Sequence, residues 1–169
     1  MKHNHVFEYG RIILMPLEKA DIEELRILRN SQKQFFISRH EIDSGAQEQW
    51  YEKYLKNPED IMFKVVKKEK PEEFIGAIAL YDIDWENMTS ECGRTVIDKL
   101  KAPEKGIGME ATKAVCLFGF QVLKLNKIVG EVLKTNERII KVDLRAGFRI
   151  VGENDNLYFI EMTKETINA

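Results

Sequence analysis

Two glycines separated by one residue, Gly106 and Gly108, stand between an extended segment and a helix-patterned one, and this junction limits what the chain can become. Upstream, Thr89-Ser90-Glu91-Cys92-Gly93-Arg94-Thr95-Val96-Ile97 reads as a strand. Downstream, Ala111, Ala114, Val115, Phe118 and Val122 share one face of a helix, the face that would press on a sheet. The first turn of a helix carries unpaired N–H groups and the positive end of the helix dipole, so the turn before it can hold a phosphate. Glycine lets the backbone approach a pyrophosphate with no Cβ in the way. A Gly-x-Gly pair also fits an ordinary tight connection, and at this level both readings stand.

The flanking segments supply the rest of a sheet. Arg11–Met15, closed by Pro16, predicts a first strand. Asp21-x-x-Glu24 matches a capping arrangement, and Ile22, Leu25 and Leu28 form the stripe of a helix ending near Arg29-Asn30-Ser31. Ser44-x-x-Gln47 is a second capping box, opening a helix through Trp50, Tyr51 and Tyr54 to a stop at Asn57-Pro58. Met62–Lys67, Phe74–Asp82 and Ser90–Ile97 predict an antiparallel meander, with a charged, solvated connection at Lys67–Glu73. Lys127–Leu133, reached through the main helix, predicts a strand parallel to the one before the glycines, by a right-handed crossover. Asn136 fits the N-cap of a short helix ending at Ala146, with Gly147 in the left-handed region after it. Phe148–Val151 and Leu157–Met162 close the sheet around the turn Asn154-Asp155-Asn156. No repeat, low-complexity segment or linker divides the chain, so residues 1–169 predict one domain.

Charge narrows the partners. Lys and Arg number 26 against 28 for Asp and Glu, which argues against a nucleic-acid or anionic-membrane partner, since both need a basic face. Arg94, Lys99, Lys101 and Lys105 predict only a local basic patch near the glycine turn. Cys92 and Cys116 make no disulfide framework and read as small core hydrophobes. No apolar run is long enough to span a bilayer and the start has no signal-peptide shape, so a cytoplasmic protein is expected. His3 and His5 have chelating spacing, but near a chain end they read as a disordered tail, and no metal site is predicted.

Taken together these features resemble a family. Gly106-Ile107-Gly108-Met109-Glu110-Ala111, after an Asp98-x-x-x-x-Pro103-x-Lys105 bridge, resembles the coenzyme A-binding loop of the GNAT acetyltransferases. Asn136-Glu137-Arg138 followed by Ala146-Gly147-Phe148 is similar to that superfamily's second segment. Arg29-Asn30 and Trp50-Tyr51 resemble the branch that acetylates ribosomal-protein termini and amino-sugar nucleotides. The resemblance implies an α/β (α+β) fold: a mixed, mostly antiparallel sheet of about six to seven strands, a central splayed parallel pair and about four helices. It also implies an N-acetyltransferase using acetyl-CoA as acetyl donor and a small-molecule or peptide amine as acceptor, and leaves a homodimer open.

Carried onto this sequence, the resemblance puts the pantetheine arm between Ser90–Ile97 and Lys127–Leu133, with N–H groups near Val96 polarising the thioester carbonyl. The pyrophosphate would take the amides of Lys105, Gly106, Gly108 and Met109. Asn136 sits where the family places an asparagine touching the cofactor arm, a role compatible with capping. Glu91 is the candidate general base, since an alkylamine is protonated at neutral pH and must lose a proton before it attacks. Strand alternation places Glu91 on one face with Gly93 and Thr95. The alternative is a surface carboxylate paired with Arg94 or a lysine.

Two positions depart from the family pattern. Pro103 stands where Gln or Arg is usual and has no N–H to donate. Asp143 stands where a tyrosine usually protonates the departing thiolate, and an ionised Asp cannot donate. The coenzyme thiolate then leaves unaided, or Tyr158 or Tyr81 serves. Phe35, Phe36, Ile37 and His40 either line an acceptor pocket or plug the core beneath their loop. A CoA-binding module without catalysis is the competing reading, favoured by Pro103 and the missing tyrosine. A Rossmann-type nucleotide domain is weaker, because the second half lacks a repeated strand–helix array.

Overall fold

The computed structural model describes residues 1–168. One eight-stranded sheet runs through it in the order β1-β2-β3-β4-β5-β6-β8-β7. The strands are β1 (Phe7–Tyr9), β2 (Ile12–Pro16), β3 (Ile61–Lys67), β4 (Gly76–Asp84), β5 (Thr89–Ile97), β6 (Lys127–Leu133), β7 (Arg149–Glu153) and β8 (Leu157–Thr163). Every neighbouring pair is antiparallel except β5 with β6. The count exceeds the six to seven expected. The extra strand is β1, too short at three residues to show a pattern, paired to β2 through a turn where Gly10 has a φ of +54°.

Each face of the sheet carries helices. Helix α3 (Ile107–Gln121) lies on one face with α4 (Glu137–Ala146), and α1 (Ile22–Ser31) and α2 (Ser44–Lys56) cover the other. Strand β4 is buried on both faces, as its unbroken apolar run requires. Ile78 and Leu80 join the α3 side, and Ala77 and Ala79 join the α1–α2 side. The buried stripe of α3 is Ala111, Ala114, Val115 and Phe118, but Val122, expected with them, is 45% exposed because the helix stops at Gln121.

The caps partly differ from the pattern reading. Helix α2 is capped by Asp43, whose Oδ1 accepts from Ala46 N at 2.8 Å, and Ser44 is already its first residue. Gln47 is buried and donates to Ile22 O, tying α2 to the start of α1. Asp21 makes no side-chain cap on α1, since its carboxylate accepts from Glu18 N and pairs with Lys64. Asn136 caps α4 as expected, accepting from Ile139 N at 3.2 Å, and Gly147 follows with a φ of +121°. His3 is no loose tail: its Nε2 lies 3.0 Å from Met62 O and its ring packs edge-on to Phe63. Both cysteines are free, and among the described residues no helix is long and apolar enough to cross a membrane.

Candidate active site

The parallel pair at the centre of the sheet opens. Residues of β5 pair with β6 only at Thr89–Lys127, Ser90–Ile128 and Glu91–Val129, while β5 stays paired to β4 as far as Ile97. Beyond Glu91 the two strands line a cavity of about 550 Å³, reached by Cys92 through Ile97 from one side and Gly130 through Leu133 from the other. The opening coincides with a bulge. Ala79 faces Gly93 but Ala77 faces Val96, so β5 carries one extra residue there, and Arg94 has a φ of +54°.

That bulge changes two expectations. It shifts the alternation, so Val96 and not Thr95 shares the face of Glu91 and Gly93, and Val96 packs with Ala77, Ala79 and Tyr81. It also fixes where the backbone points. Asp98 N donates to Ile75 O on the β4 side, and Ile97 O accepts from the Gln32 amide on the open side. Since successive residues of a strand direct their amides to opposite sides, Val96 N–H is turned to β4. Ile97, whose carbonyl takes the Gln32 amide, faces the gap.

Helix α3 begins at the mouth of this cavity, with Gly108 among the lining residues. Gly106 has a φ of +94°, which an L side chain rarely adopts. Glu110 N makes the first helical bond, to Gly106 O, so the amides of Gly108 and Met109 lie outside the ladder. A Cβ built on Gly108 meets nothing within 4 Å. Arg11 on the rim of β2 holds the turn: its Nη2 donates to Lys105 O at 2.9 Å, and its backbone N and Nε both reach the Glu110 carboxylate at 2.8 Å. No local signal marks Arg11, because its partners lie far along the chain. Open space and free amides fit a diphosphate, and Arg11, its charge paired with Glu110, braces the turn that carries them. Of the expected basic patch, Arg94 pairs with Asp60 and Lys101 with Glu24, while Lys99 and Lys105 form no ion pair among the described residues.

Several titratable groups stand near the opening. Glu91 is half-buried and faces Tyr81 across the β4–β5 ladder. Burial raises its pKa above the usual carboxylate range; the Tyr81 hydroxyl opposes that shift, and Asp82 and Glu131 add to it. Arg94 does not pair with it, but reaches Asp60 at 2.6 Å and lies 4.2 Å over the Tyr81 ring. Burial pushes the Tyr81 hydroxyl up as well, so it holds its proton at neutral pH. Glu131, which nothing in the sequence singles out, lines the cavity on β6.

Asp143 also lines the cavity, and burial raises its carboxyl to about 7. A carboxyl in that state carries a proton in a large share of molecules at neutral pH, which removes the objection that an ionised Asp cannot donate. The shift has a measurable sign. Between the unfolded and folded pKa values the native state holds the extra proton, so stability falls as pH rises from about 4 to about 7. Urea unfolding across that range is expected to lose up to about 4 kcal/mol from this group, and Asp143→Asn is expected to flatten the profile.

Tyr158 is not brought to the cavity. It shares a face of β8 with Ile160, which does line it, but sits two residues further on, with the Lys134 ammonium 5.1 Å from its ring centroid. Asn136 lines the cavity with both ends of its amide engaged: Oδ1 caps α4, and Nδ2 donates to Phe35 O at 3.3 Å. Phe35, Phe36, Ile37 and His40 all line the cavity too. Phe36 also packs on the α1–α2 core, whereas Phe35 and Ile37 are exposed.

Residues 11–149 match the family model described as an acetyltransferase (GNAT) domain. Among solved structures, apo FdhC, a nucleotide-linked sugar GNAT, superposes with a TM-score of 0.83 at 24% identity, over 98% of this chain and 94% of that one. The spermidine N-acetyltransferase of Vibrio cholerae, in complex with CoA and spermine, gives 0.80 at 18% identity, over 94% and 99%. A GNAT family acetyltransferase from Bacillus anthracis gives 0.79 at 20%, over 95% and 99%. No curated protein sequence matches. At these identities the structural likeness is one of fold.

Proposed function

The chain belongs to the GNAT acetyltransferase family, and from that premise we propose that it transfers the acetyl group of acetyl-CoA to a primary amine beside Glu91. The observation that carries the reading is the parting of β5 from β6 just past Glu91, with the N-terminus of α3 at the same cavity. The amides of Gly108 and Met109, with Arg11 behind the turn, hold the diphosphate. The acyl arm then runs into the gap, where a free N–H of β5 near Val96 stabilises negative charge on the thioester oxygen.

The remaining steps are proton transfers. Glu91 takes the proton from the amine, directly or through a water, as nitrogen bonds to the acetyl carbon and the carbon–sulfur bond breaks. Asp143, which lines the cavity, gives its proton to the departing sulfur. A thiol's ordinary pKa lies above that of Asp143, so the transfer runs downhill.

The test is release of free CoA thiol from acetyl-CoA with a panel of amines: amino-sugar nucleotides, peptides with free N-termini, and polyamines. Acetyl-CoA-dependent release with at least one class supports the reading. Acetyl-CoA binding with no turnover on any class would leave a CoA-binding module.

A further inference from the structure

The carboxyl groups of the cavity stand on its β6 and α4 side, where Glu131 and Asp143 line it together with Arg138. Glu91, next to the lining residue Cys92, faces Tyr81 on β4. The opposite wall, made by α1, α2 and the segment joining them, presents Arg29 and His40 with the rings of Phe35, Phe36 and Trp50, and no carboxylate. The acidic groups close in sequence are engaged elsewhere: Glu23 with Arg26, Glu41 with Lys33, and Asp43 with the amide of Ala46.

Arg29 is therefore a cation without a carboxylate among the described residues. Its guanidinium lies 4.6 Å over the Phe36 ring and donates to the carbonyls of Ser38 and His40. A guanidinium has five N–H groups in a planar fork, so three remain for a ligand. Carbonyl oxygens fix its direction without neutralising it, and burial alone pulls its pKa down. His40 stands next to it, its Nδ1 held by Ser38 Oγ at 2.6 Å.

We propose that this wall binds a phosphate-type anion carried by the acceptor, as in a nucleoside-diphosphate-linked amino sugar, with Arg29 as the anion ligand and the aromatic rings flanking the attached base or sugar. The assignment rests on the acetyl-transfer reading and adds to it the class of acceptor. The amine end then points to Glu91 and the anionic end to Arg29. A polyamine fits poorly, because its second cation would meet Arg29 where a carboxylate is needed.

The experiment is calorimetric titration of the whole chain with uridine diphosphate, under saturating CoA so that the α3 turn is already filled. Spermidine is titrated in parallel. Uridine diphosphate is expected to bind, more weakly at high salt, and Arg29→Gln is expected to weaken it roughly tenfold or more, the effect of losing one charge-assisted contact. Gln can still donate to a loop carbonyl, and Arg29→Lys is expected to recover part of the affinity. Spermidine binding tighter than the diphosphate, or diphosphate affinity indifferent to Arg29→Gln, overturns the assignment. If Arg29→Gln melts early, the wild-type preference between the two probes decides alone. CoA that fails to bind sinks the acetyl-transfer reading itself, whereas CoA binding without diphosphate binding sinks only the acceptor class.

Discussion

Glu91→Gln is expected to lower kcat by about 10²- to 10⁴-fold, the usual worth of a positioned general base, with acetyl-CoA affinity unchanged. The substitution keeps the volume and the partner at Tyr81 but removes the basic lone pair. Glu91 makes no ion pair among the described residues, so no partner charge is stranded by its loss. The wild-type rate should rise with pH as Glu91 gives up its proton. Because burial, Asp82 and Glu131 all raise that pKa, the rising limb stands above the ordinary glutamate value of about 4.3. Glu131→Gln is expected to move the limb to lower pH, and Glu91→Gln to abolish it. Steady-state profiles of kcat/KM with saturating acetyl-CoA make the measurement, and a Glu91→Gln variant as fast as wild type would remove Glu91 from the chemistry.

Gly108→Asp is expected to separate binding from folding. Nothing lies within 4 Å of the new Cβ, so no clash is introduced. Asp is a better helix residue than glycine, and a negative charge in the first turn of α3 gains about 0.3–1 kcal/mol from the helix dipole. The melting temperature should therefore hold or rise. Acetyl-CoA should bind at least about a hundredfold more weakly, since like charges about 4 Å apart at an effective dielectric of about 20 repel by about 4 kcal/mol. Gly106→Asp is the contrasting variant. Its φ of +94° makes any side chain strained, so stability falls along with affinity. Calorimetric titration and thermal melts distinguish the two, and unaltered acetyl-CoA affinity in Gly108→Asp would place the diphosphate elsewhere.

Much of the fold was legible because it is written in local patterns. The bounds of β6 and α4, the Asn136 cap and the turn at Asn154 all follow from short-range rules of periodicity and capping. The α2 cap fell one residue early, at Asp43, since Asp and Ser compete for the same role and only geometry decides. The site was less legible. A bulge at Arg94 leaves no mark in composition, yet it decides which amides of β5 meet the gap. The protonation of Asp143 depends on burial supplied by the surrounding fold, which no spacing reveals. Arg11 and Glu131 acquire their places through contacts between distant segments.

The amide of Asn136 belongs to two structures at once, ending a helix with its oxygen and holding the Phe35 carbonyl with its nitrogen. Fraying at α4 is thereby felt in the segment that carries the acceptor aromatics, and a shift of that segment loosens the first turn of α4. One side chain thus ties α4 to the segment between α1 and α2, so a disturbance on either bank of the cleft crosses to the other.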